Sequence, residues 1–370
     1  MGYHPKPSKS WLVVKEEMLD KANNLFEETG VQITTEGRKY LGGYIGTAEG
    51  TTKYVEGLVD DWIKQLKKLA TIAKSEPQAA YAAFTAGFRH KITYFIRTIQ
   101  NIKEQMKPLD EVIDSIFIPA ITEGHCCSRL DRKLLSLPVK SGGMGIPIFA
   151  DLCDREYANS RLASQQLTSN IVQQIQEYNI DSNLGRETRS NIKKKRLDYE
   201  KKQLEEIRKQ MNKEQLRAND LAQLKGGSSW LNALPLEDEG YTLNKREFYD
   251  AVSLRYRWSL KRLPTNCACG KKFTTDHAMG CLKGGFIHQR HDRVRDMIAE
   301  MVDDVAFDVH VEPHLQEVTG EDLPPTANTD NEARLDVAAR GFWQRGDMVF
   351  FDVPVFNQFA RSHISAKLDN

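Results

Sequence analysis

The sequence lacks the features that mark membrane and secreted proteins. Its 370 residues contain no apolar run of the roughly 18 to 20 residues that a membrane-spanning helix requires. The N-terminal segment MGYHPKPSKSW also lacks the short apolar core of a secretory signal. We therefore expect a soluble intracellular protein, nuclear or cytoplasmic, with no membrane partner.

The sequence also lacks an excess of charge of either sign. It has 52 Lys and Arg against 51 Asp and Glu, and a formal net charge of +1. Affinity for a nucleic-acid backbone rises with the number of phosphates that Lys and Arg neutralise. Near-neutrality therefore argues against a chain that binds polyanions over its whole surface, and leaves that role to local basic segments.

Cysteine is scarce, since six residues are too few for a disulfide scaffold in a chain of this length. Four of them form two close pairs, Cys126 with Cys127 and Cys267 with Cys269. Adjacent cysteines seldom bridge each other. Free thiols or metal ligands in a reducing compartment are therefore the two interpretations that fit.

The chain divides into six stretches of different composition. The first combines short apolar runs with a Gly-rich turn. The second carries apolar residues at three- and four-residue spacing, interrupted at prolines, which predicts a helical bundle. A charged connector, an amphipathic helical segment, a Cys/His cluster and a final stretch of helix and strands follow. The boundaries are 1–52, 53–165, 166–225, 226–263, 264–285 and 286–370.

The connector contains the most basic part of the chain. Residues 186–217 hold 12 Lys or Arg and 6 Asp or Glu. Such a charge-laced helix is usually a solvated spacer. The alternative is contact with a nucleic-acid backbone, and the candidate residues for it are Lys193, Lys194, Lys195 and Arg196.

The C-terminal third contains a Cys/His cluster. Its members fall within a segment of fifteen residues: Cys267, Cys269, His277 and Cys281. The first two fit a tight turn with Gly270, and the last two, four apart, share one face of a helical turn. Three thiolates and an imidazole suit a closed tetrahedral zinc site that leaves no open position for water. The alternative is that these side chains hold no metal.

A structural zinc site of this kind would supply folding energy. It would also present a basic surface to solvent. The lysines of that surface are Lys271, Lys272 and Lys283.

The last stretch predicts a helix at about 288–305 and a strand at 305–312. A loop rich in Pro, Asn and Asp at 319–331 separates these from two further strands, at 333–339 and 348–356, each of which carries an acidic residue. Asp336 and Asp352 each interrupt an apolar run of the strand type. Carboxylates on the two arms of a hairpin suit Mg²⁺, which prefers oxygen ligands and assists phosphodiester hydrolysis. Glu300 or Glu312 is a candidate third ligand. Spacing alone does not distinguish such a site from two unrelated aspartates.

Basic residues crowd the first turns of that helix, among them Arg290, His291 and Arg293. A basic first turn opposes the helix dipole, which favours anions at an N-terminus. These side chains either contact phosphate or form an ordinary solvated face.

Several motifs follow one another along the chain in a recognisable order. They are KSWLVVK at 9–15, GVQITTEG at 30–37, LGGYIG at 41–46, AAYAAFT at 79–85, LPVKSGGMGI at 137–146, the Cys/His cluster with KGGF at 283–286, ARLDV at 333–337 and FFDV at 350–353. The first three resemble the region just after the catalytic palm of retroelement reverse transcriptases, and the next two resemble its thumb. The remainder is similar to the CCHC knuckle and restriction-like endonuclease of site-specific non-LTR retrotransposons.

This resemblance implies a mainly α fold. The end of the palm and primer grip would lie at 1–52, followed by a thumb-like helical bundle and connector. A small zinc knuckle and a partial α/β nuclease core of the PD-(D/E)xK type would come last. The resemblance further implies zinc at the Cys/His cluster, Mg²⁺ at the catalytic residues Asp336 and Asp352, and DNA or RNA and other retroelement polypeptides as partners.

The chain departs from the pattern of this family at both reactive centres. Such nucleases usually carry Lys or Arg two residues after the second acid, where this chain has Pro354. Proline carries no charge and no backbone N–H, and it suits only an edge strand or a bulge. The paired aspartates of the polymerase have no counterpart in an apolar hairpin here. The chain also ends at Asn370, before the helix expected to complete the nuclease core.

We therefore expect a truncated polyprotein fragment that is catalytically inactive and retains zinc and nucleic-acid binding. A first alternative is a working Mg²⁺-dependent endonuclease in which Arg361 or Lys367 replaces the missing basic residue. A second alternative is a helical interaction protein without a nucleic-acid role.

Overall fold

Apolar residues at helical spacing build most of this chain. In the computed structural model the described residues are 6–175, 182–283, 286–314, 333–360 and 363–364. They are mainly helical, with 58% helix and 9% strand, so the prediction of a mainly α fold is confirmed. No helix in these ranges is long and apolar enough to cross a membrane. The chain divides into two compact units, the first ending at Ser259 and the second beginning at Leu260.

The first unit opens with two small sheets. β1 (Trp11–Val13) and β2 (Gln32–Thr34) pair in parallel, with α1 (Leu19–Phe26) between them in sequence. β3 (Gly37–Tyr40) and β4 (Gly43–Gly46) form an antiparallel hairpin. Gly37 is required in this hairpin because a Cβ there would lie 2.4 Å from the carbonyl oxygen of Ile45.

The helices that follow pack around one apolar core. They are α2 (Ala48–Ala73), α3 (Pro77–Ala83), α4 (Arg89–Thr98), α5 (Lys103–Val112), α6 (Ile118–Ile121), α7 (Arg129–Ser136) and α8 (Phe149–Val172). Turns of π-helix join α3 to α4 and α5 to α6. α2 shows why the bundle forms, since Val55, Val59, Trp62 and Leu66 recur every three or four residues and are fully buried.

The Gly-rich segment 137–146 is a loop held by side chains of the bundle. Tyr81 donates from its hydroxyl to the carbonyl of Met144 at 2.7 Å. Arg132 donates to the carbonyl of Ile146 at 2.7 Å. A Cβ on Gly143 would lie 2.0 Å from the carbonyl oxygen of Leu137. The motif is therefore explained by close backbone packing between α7 and α8.

The charged connector forms two helices. α9 (Ser182–Arg208) ends before Asn212, and α10 (Lys213–Gln223) begins directly after it. The Asn212 side chain accepts from the backbone N–H of Gln215, and the Gln215 side chain accepts from that of Asn212. This reciprocal cap starts a new helix within a stretch whose composition alone resembles one continuous helix.

α11 (Lys245–Tyr256) closes the first unit against the bundle. It buries Phe248, Tyr249 and Val252. The hydroxyl of Tyr249 lies 3.2 Å from the carbonyl oxygen of Ala73 and 2.9 Å from that of Ala120. The Tyr249 hydroxyl thus contacts carbonyl groups at the C-terminal ends of two helices. Such terminal carbonyls have no hydrogen-bond partner within their own helix.

The second unit is small and mixed. It contains α12 (Thr275–Gly280), α13 (Phe286–Asp303), β5 (Phe307–Val311), β6 (Val337–Arg340) and β7 (Met348–Phe351). The strands form an antiparallel sheet in the order β5-β6-β7, and α13 packs against β5 and β6. Ala338 and Ala339 of the central strand are fully buried. The predicted loop at 319–331 lies outside the described residues.

Candidate metal centre

The first two cysteines of the cluster lie in a tight turn. Asn266 and Lys272 form an antiparallel bridge across it. The backbone N–H of Cys267 donates to the carbonyl of Lys271 at 2.8 Å, and the N–H of Gly270 donates to the carbonyl of Cys267 at 2.8 Å. Gly270 has a φ of +83°, which glycine adopts without a steric penalty. The turn therefore places two thiols in one short loop.

The other two side chains belong to α12. Thr274 caps this helix, because its hydroxyl accepts from the backbone N–H of His277 at 3.0 Å. His277 lies in the helix and Cys281 is the residue that ends it. Their four-residue spacing puts both side chains on one face, in agreement with the sequence prediction.

The two pairs converge. All four ligand atoms lie within 4.8 Å of one another. The Sγ atoms of Cys267 and Cys281 are 3.6 Å apart, and the Sγ atom of Cys269 lies 3.1 Å from Nε2 of His277. Tetrahedral zinc places two thiolate sulfurs roughly 3.8 Å apart, and a sulfur and a nitrogen roughly 3.5 Å apart. The cluster could therefore bind a metal ion such as zinc with small side-chain movements.

The surroundings of the cluster favour a cation. Cys267 and Cys281 are buried, while Cys269 and His277 are half-buried. A backbone hydrogen bond from Cys269 lowers the pKa of the Cys267 thiol, but burial and the neighbouring thiols of Cys281 and Cys269 outweigh it and raise that pKa. Crowded thiolates repel one another. A divalent cation between them removes that repulsion and holds the thiols deprotonated.

Only one of the two close cysteine pairs belongs to the Cys/His cluster. None of the six cysteines, all of which lie in the described ranges, forms a disulfide. Cys267 and Cys269 contribute to the Cys/His cluster. Cys126 is exposed and Cys127 is half-buried, and neither belongs to a metal-binding group in the described part of the chain.

The basic residues predicted near the cluster differ in accessibility. Lys271, Lys272, Lys283 and Arg293 are exposed. Arg290 is half-buried and contacts protein groups: its Nη1 lies 3.0 Å from Sδ of Met279, and its Nη2 donates to the carbonyl of Val355 at 3.3 Å. Arg290 therefore helps to join the metal-binding segment to α13 and to the segment after β7.

The basic run of the connector is also divided. Lys193, Lys194 and Lys195 are exposed on α9. Arg196 is half-buried, and its Nη2 donates to both carboxylate oxygens of Glu156 at 2.7 Å. Three of the four predicted residues thus face solvent, while the fourth forms an ion pair with α8.

The two aspartates of the second unit lie at the same end of the β6-β7 hairpin. Asp336 directly precedes β6 and Asp352 directly follows β7, one position beyond the Val337–Phe351 pair. The carboxylate of Asp336 accepts from the backbone N–H of Val353 at 2.6 Å, and its other oxygen lies 3.1 Å from Nε2 of His291. Asp352 is exposed.

The expected third carboxylate does not join this pair. Glu312 forms an ion pair with Arg295, and Glu300 is exposed on α13. Within the described ranges, the Cys/His cluster is the only group of three or more His, Cys, Asp or Glu side chains close enough to hold one ion. Arg361 and Lys367, the alternative basic residues, lie outside the described residues.

Sequence reasoning missed two polar contacts. It placed His291 among basic residues of a helix but did not connect it to Asp336. It also overlooked Glu156, which is buried. A signal for Glu156 exists, since it follows Phe149 and Cys153 at the four- and three-residue spacing of the buried face of α8. A charged residue at such a position requires an ionic or hydrogen-bonding partner.

Comparisons with known proteins do not assign this chain to a family. No protein-family model matches it, and no curated protein matches it significantly. The relation to retroelement polyproteins therefore rests on the sequence motifs alone.

Proposed function

We propose that this chain is a zinc-stabilised nucleic-acid-binding part of a retroelement polyprotein of the non-LTR type, and that it binds DNA or RNA without copying or cutting it. The observation that carries this proposal is the convergence of Cys267, Cys269, His277 and Cys281, with exposed lysines on the turn that carries the first two of them. The motifs along the chain supply the link to retroelements.

The donor set supports zinc as the ion. Three thiolates and one imidazole are soft or borderline ligands, which zinc accepts and magnesium does not. Because the protein supplies all four ligands, the ion would have no open position for a reacting water. Zinc would then hold the turn and α12 together, and its contribution would be to folding.

The charge distribution supports binding of a nucleic-acid backbone by local contacts. Lys271 and Lys272 lie on the turn that carries two zinc ligands, and both are exposed. Because the net charge of the whole chain is only +1, binding would depend on these local contacts and would weaken steeply as salt rises.

Filter binding of labelled DNA and RNA at two salt concentrations tests this proposal. We expect binding at low salt and its loss at high salt. The double variant Lys271→Gln/Lys272→Gln should bind more weakly than wild type. The matched control is Lys67→Gln/Lys68→Gln, which removes the same charge from an exposed lysine pair on α2 and should bind more strongly than the variant in the turn.

Two results would contradict the proposal. Absence of binding at low salt would leave a helical interaction protein in which zinc contributes only to stability. An equal loss of DNA and RNA binding in the two double variants would show that the turn with Lys271 and Lys272 is not part of the binding surface.

A second candidate function, Mg²⁺-dependent cleavage of DNA, is favoured by one observation: the hairpin register puts Asp336 and Asp352 at neighbouring positions. Against it, both oxygens of Asp336 have partners within the protein, and Pro354 occupies the position of the usual base. Nicking of supercoiled plasmid in Mg²⁺ by wild type, but not by Asp352→Ala, would establish this function. Equal behaviour of the two proteins would eliminate it.

A further inference from the structure

A buried carboxylate in the first unit is surrounded by arginines. The side chain of Glu156 is only 4% exposed. Arg97 donates to it from Nε at 3.2 Å and from Nη2 at 3.1 Å, and Arg196 donates from Nη2 at 2.7 Å. Nε of Arg155 lies 3.8 Å away. Three guanidinium groups from α4, α8 and α9 thus meet at one carboxylate.

One carboxylate cannot balance three guanidinium groups, so a positive charge remains at this point. The hydrogen bonds are incomplete as well. The Nε atoms of Arg155 and Arg196 are buried and have no hydrogen-bond partner within the described residues. Buried donors are normally satisfied, and guanidinium groups pair best with planar or tetrahedral oxyanions. The excess of positive charge indicates that an anion completes this site.

The arginines lie at the floor of a groove, which we call the arginine groove. It consists of two adjoining cavities of about 550 and 400 Å³, which share Arg97, Glu156 and Arg196 in their linings. Eight Lys or Arg but only three Asp or Glu line the two cavities. Five of the eight are exposed: Arg97, Lys133, Lys140, Arg189 and Lys193. The groove is therefore cationic although the chain as a whole is almost neutral.

A histidine lies on the wall of the groove, next to two of its arginines. The exposed ring of His90 lines the second cavity. Its pKa is lowered, first by loss of solvent and then by the charges of Arg89 and Arg97. Neighbouring positive charge disfavours the protonated imidazole. An anion bound in the groove would reverse that effect.

We propose that the arginine groove binds the phosphodiester backbone of a single nucleic-acid strand over Arg97, Arg155 and Arg196. This inference rests on the proposed function and adds a second binding surface, separate from the lysines near the Cys/His cluster. Phosphate oxygens pair well with guanidinium groups, and the side chains of Arg97 and Arg196 are 47% and 37% exposed. Tyr199, whose ring lies under the guanidinium of Arg155 at 4.3 Å, offers an aromatic surface for a base, as in proteins that bind single strands.

Fluorescence anisotropy with labelled oligo(dT) over a series of salt concentrations tests the inference. The groove variant is Lys133→Gln/Lys193→Gln. It spares the arginines that hold the helices together, and circular dichroism checks that it folds. The control is again Lys67→Gln/Lys68→Gln, with the same charge change outside the groove. We expect the groove variant to bind roughly tenfold more weakly than the control at low salt, and its log–log salt slope to be shallower by about 1.4, or about 0.7 per lost contact.

A second measurement locates the strand. The His90 ring signals, assigned with His90→Gln, are titrated by NMR with and without oligo(dT). We expect the pKa of His90 to rise when the oligonucleotide is bound. Two results would overturn binding in the groove and leave the proposed function intact. One is an equal loss of oligo(dT) affinity in the groove variant and in the control, and the other is an unchanged His90 pKa in the bound protein. A wild-type chain that fails to bind oligo(dT) at low salt but retains DNA or RNA in the filter assay would overturn the groove alone, and a chain that binds none of these probes would overturn both.

Discussion

At the scale of single residues, the four side chains of the Cys/His cluster are the candidate zinc ligands. Cys281 is buried and lies 3.6 Å from the sulfur of Cys267, so we expect Cys281→Ser to abolish stoichiometric zinc binding. Cys126→Ser is the matched control because Cys126 is exposed and lies outside the cluster. Zinc content of the purified proteins, measured by atomic emission, checks the difference. Retention of zinc by Cys281→Ser, or its loss from Cys126→Ser, would contradict the assignment of ligands.

A second buried residue makes a pH-dependent contribution. Asp110 is 7% exposed, and its two oxygens accept from the backbone N–H groups of Phe149 and Ala150 at 2.8 and 2.9 Å, at the start of α8. Burial raises the pKa of its carboxyl from 3.8 to about 6, although the two N–H groups lower it. Between these two pH values the folded chain binds more protons than the unfolded chain, so the free energy of unfolding falls as pH rises.

The expected size of this effect is about 3 kcal/mol at full ionisation. Chemical unfolding of wild type and Asp110→Asn at several pH values between 4 and 7 measures it. The decrease in stability with rising pH should be smaller in Asp110→Asn by up to that amount. Parallel pH profiles of the two proteins would show that Asp110 has an ordinary pKa in the folded chain.

The sequence permitted a prediction of the metal ligands but not of these buried carboxyl groups. Cys267, Cys269, His277 and Cys281 are close in sequence, so local chain geometry is enough to bring them together. Asp110 and Glu156 acquire their partners only through tertiary packing, from residues about 40 to 60 positions away. A single sequence carries no local mark of such partners beyond a charged residue on an otherwise apolar helix face.

At the scale of elements, the loop between α7 and α8 depends on a glycine that is not in a left-handed conformation. A Cβ on Gly143 would clash with the carbonyl oxygen of Leu137 at 2.0 Å and with that of Leu134 at 2.6 Å. We expect Gly143→Ala to lower the free energy of unfolding by roughly 3 kcal/mol. The measurement is urea unfolding.

A second glycine provides the control for this prediction. Gly57 lies within α2, and a Cβ there meets no atom within 4 Å. Gly57→Ala should therefore raise stability by about 1 kcal/mol, because alanine favours a helix more than glycine does. Similar effects of the two substitutions would show that the loop can move to make room for a side chain.

The strand boundaries show where sequence patterns reach their limit. The apolar run 348–356 suggested one long strand, but β7 ends at Phe351. Pro354 cannot donate to a neighbouring strand, and the backbone N–H of Val353 donates to the Asp336 side chain instead. β6 begins at Val337, where the sequence suggested 333, because Arg334 forms only an isolated bridge with His314. Hydrophobicity predicted that these strands exist, and local hydrogen bonding determined where they begin and end.

At the scale of the whole molecule, the two units differ in how they are stabilised. The first unit has a continuous core of apolar side chains from its helices. The second unit buries few large side chains within its described residues, and those that are buried are mainly Ala, Val and Cys. Small units with little core commonly require a metal or a disulfide. If the Cys/His cluster of the second unit binds zinc as proposed, the ion would supply on the order of 10 kcal/mol of folding free energy to that unit.

The central claim, that this chain binds nucleic acid and does not cut it, is tested most directly by one gel experiment. Supercoiled plasmid is incubated with the zinc-loaded chain and Mg²⁺ at low salt, then run on agarose with and without prior removal of protein. The account predicts retarded plasmid where the protein is left in place, and intact supercoiled plasmid once the protein has been removed. Nicked plasmid produced by wild type but not by Asp352→Ala would contradict it, as would a chain that retards neither this plasmid nor labelled single-stranded DNA and RNA run beside it.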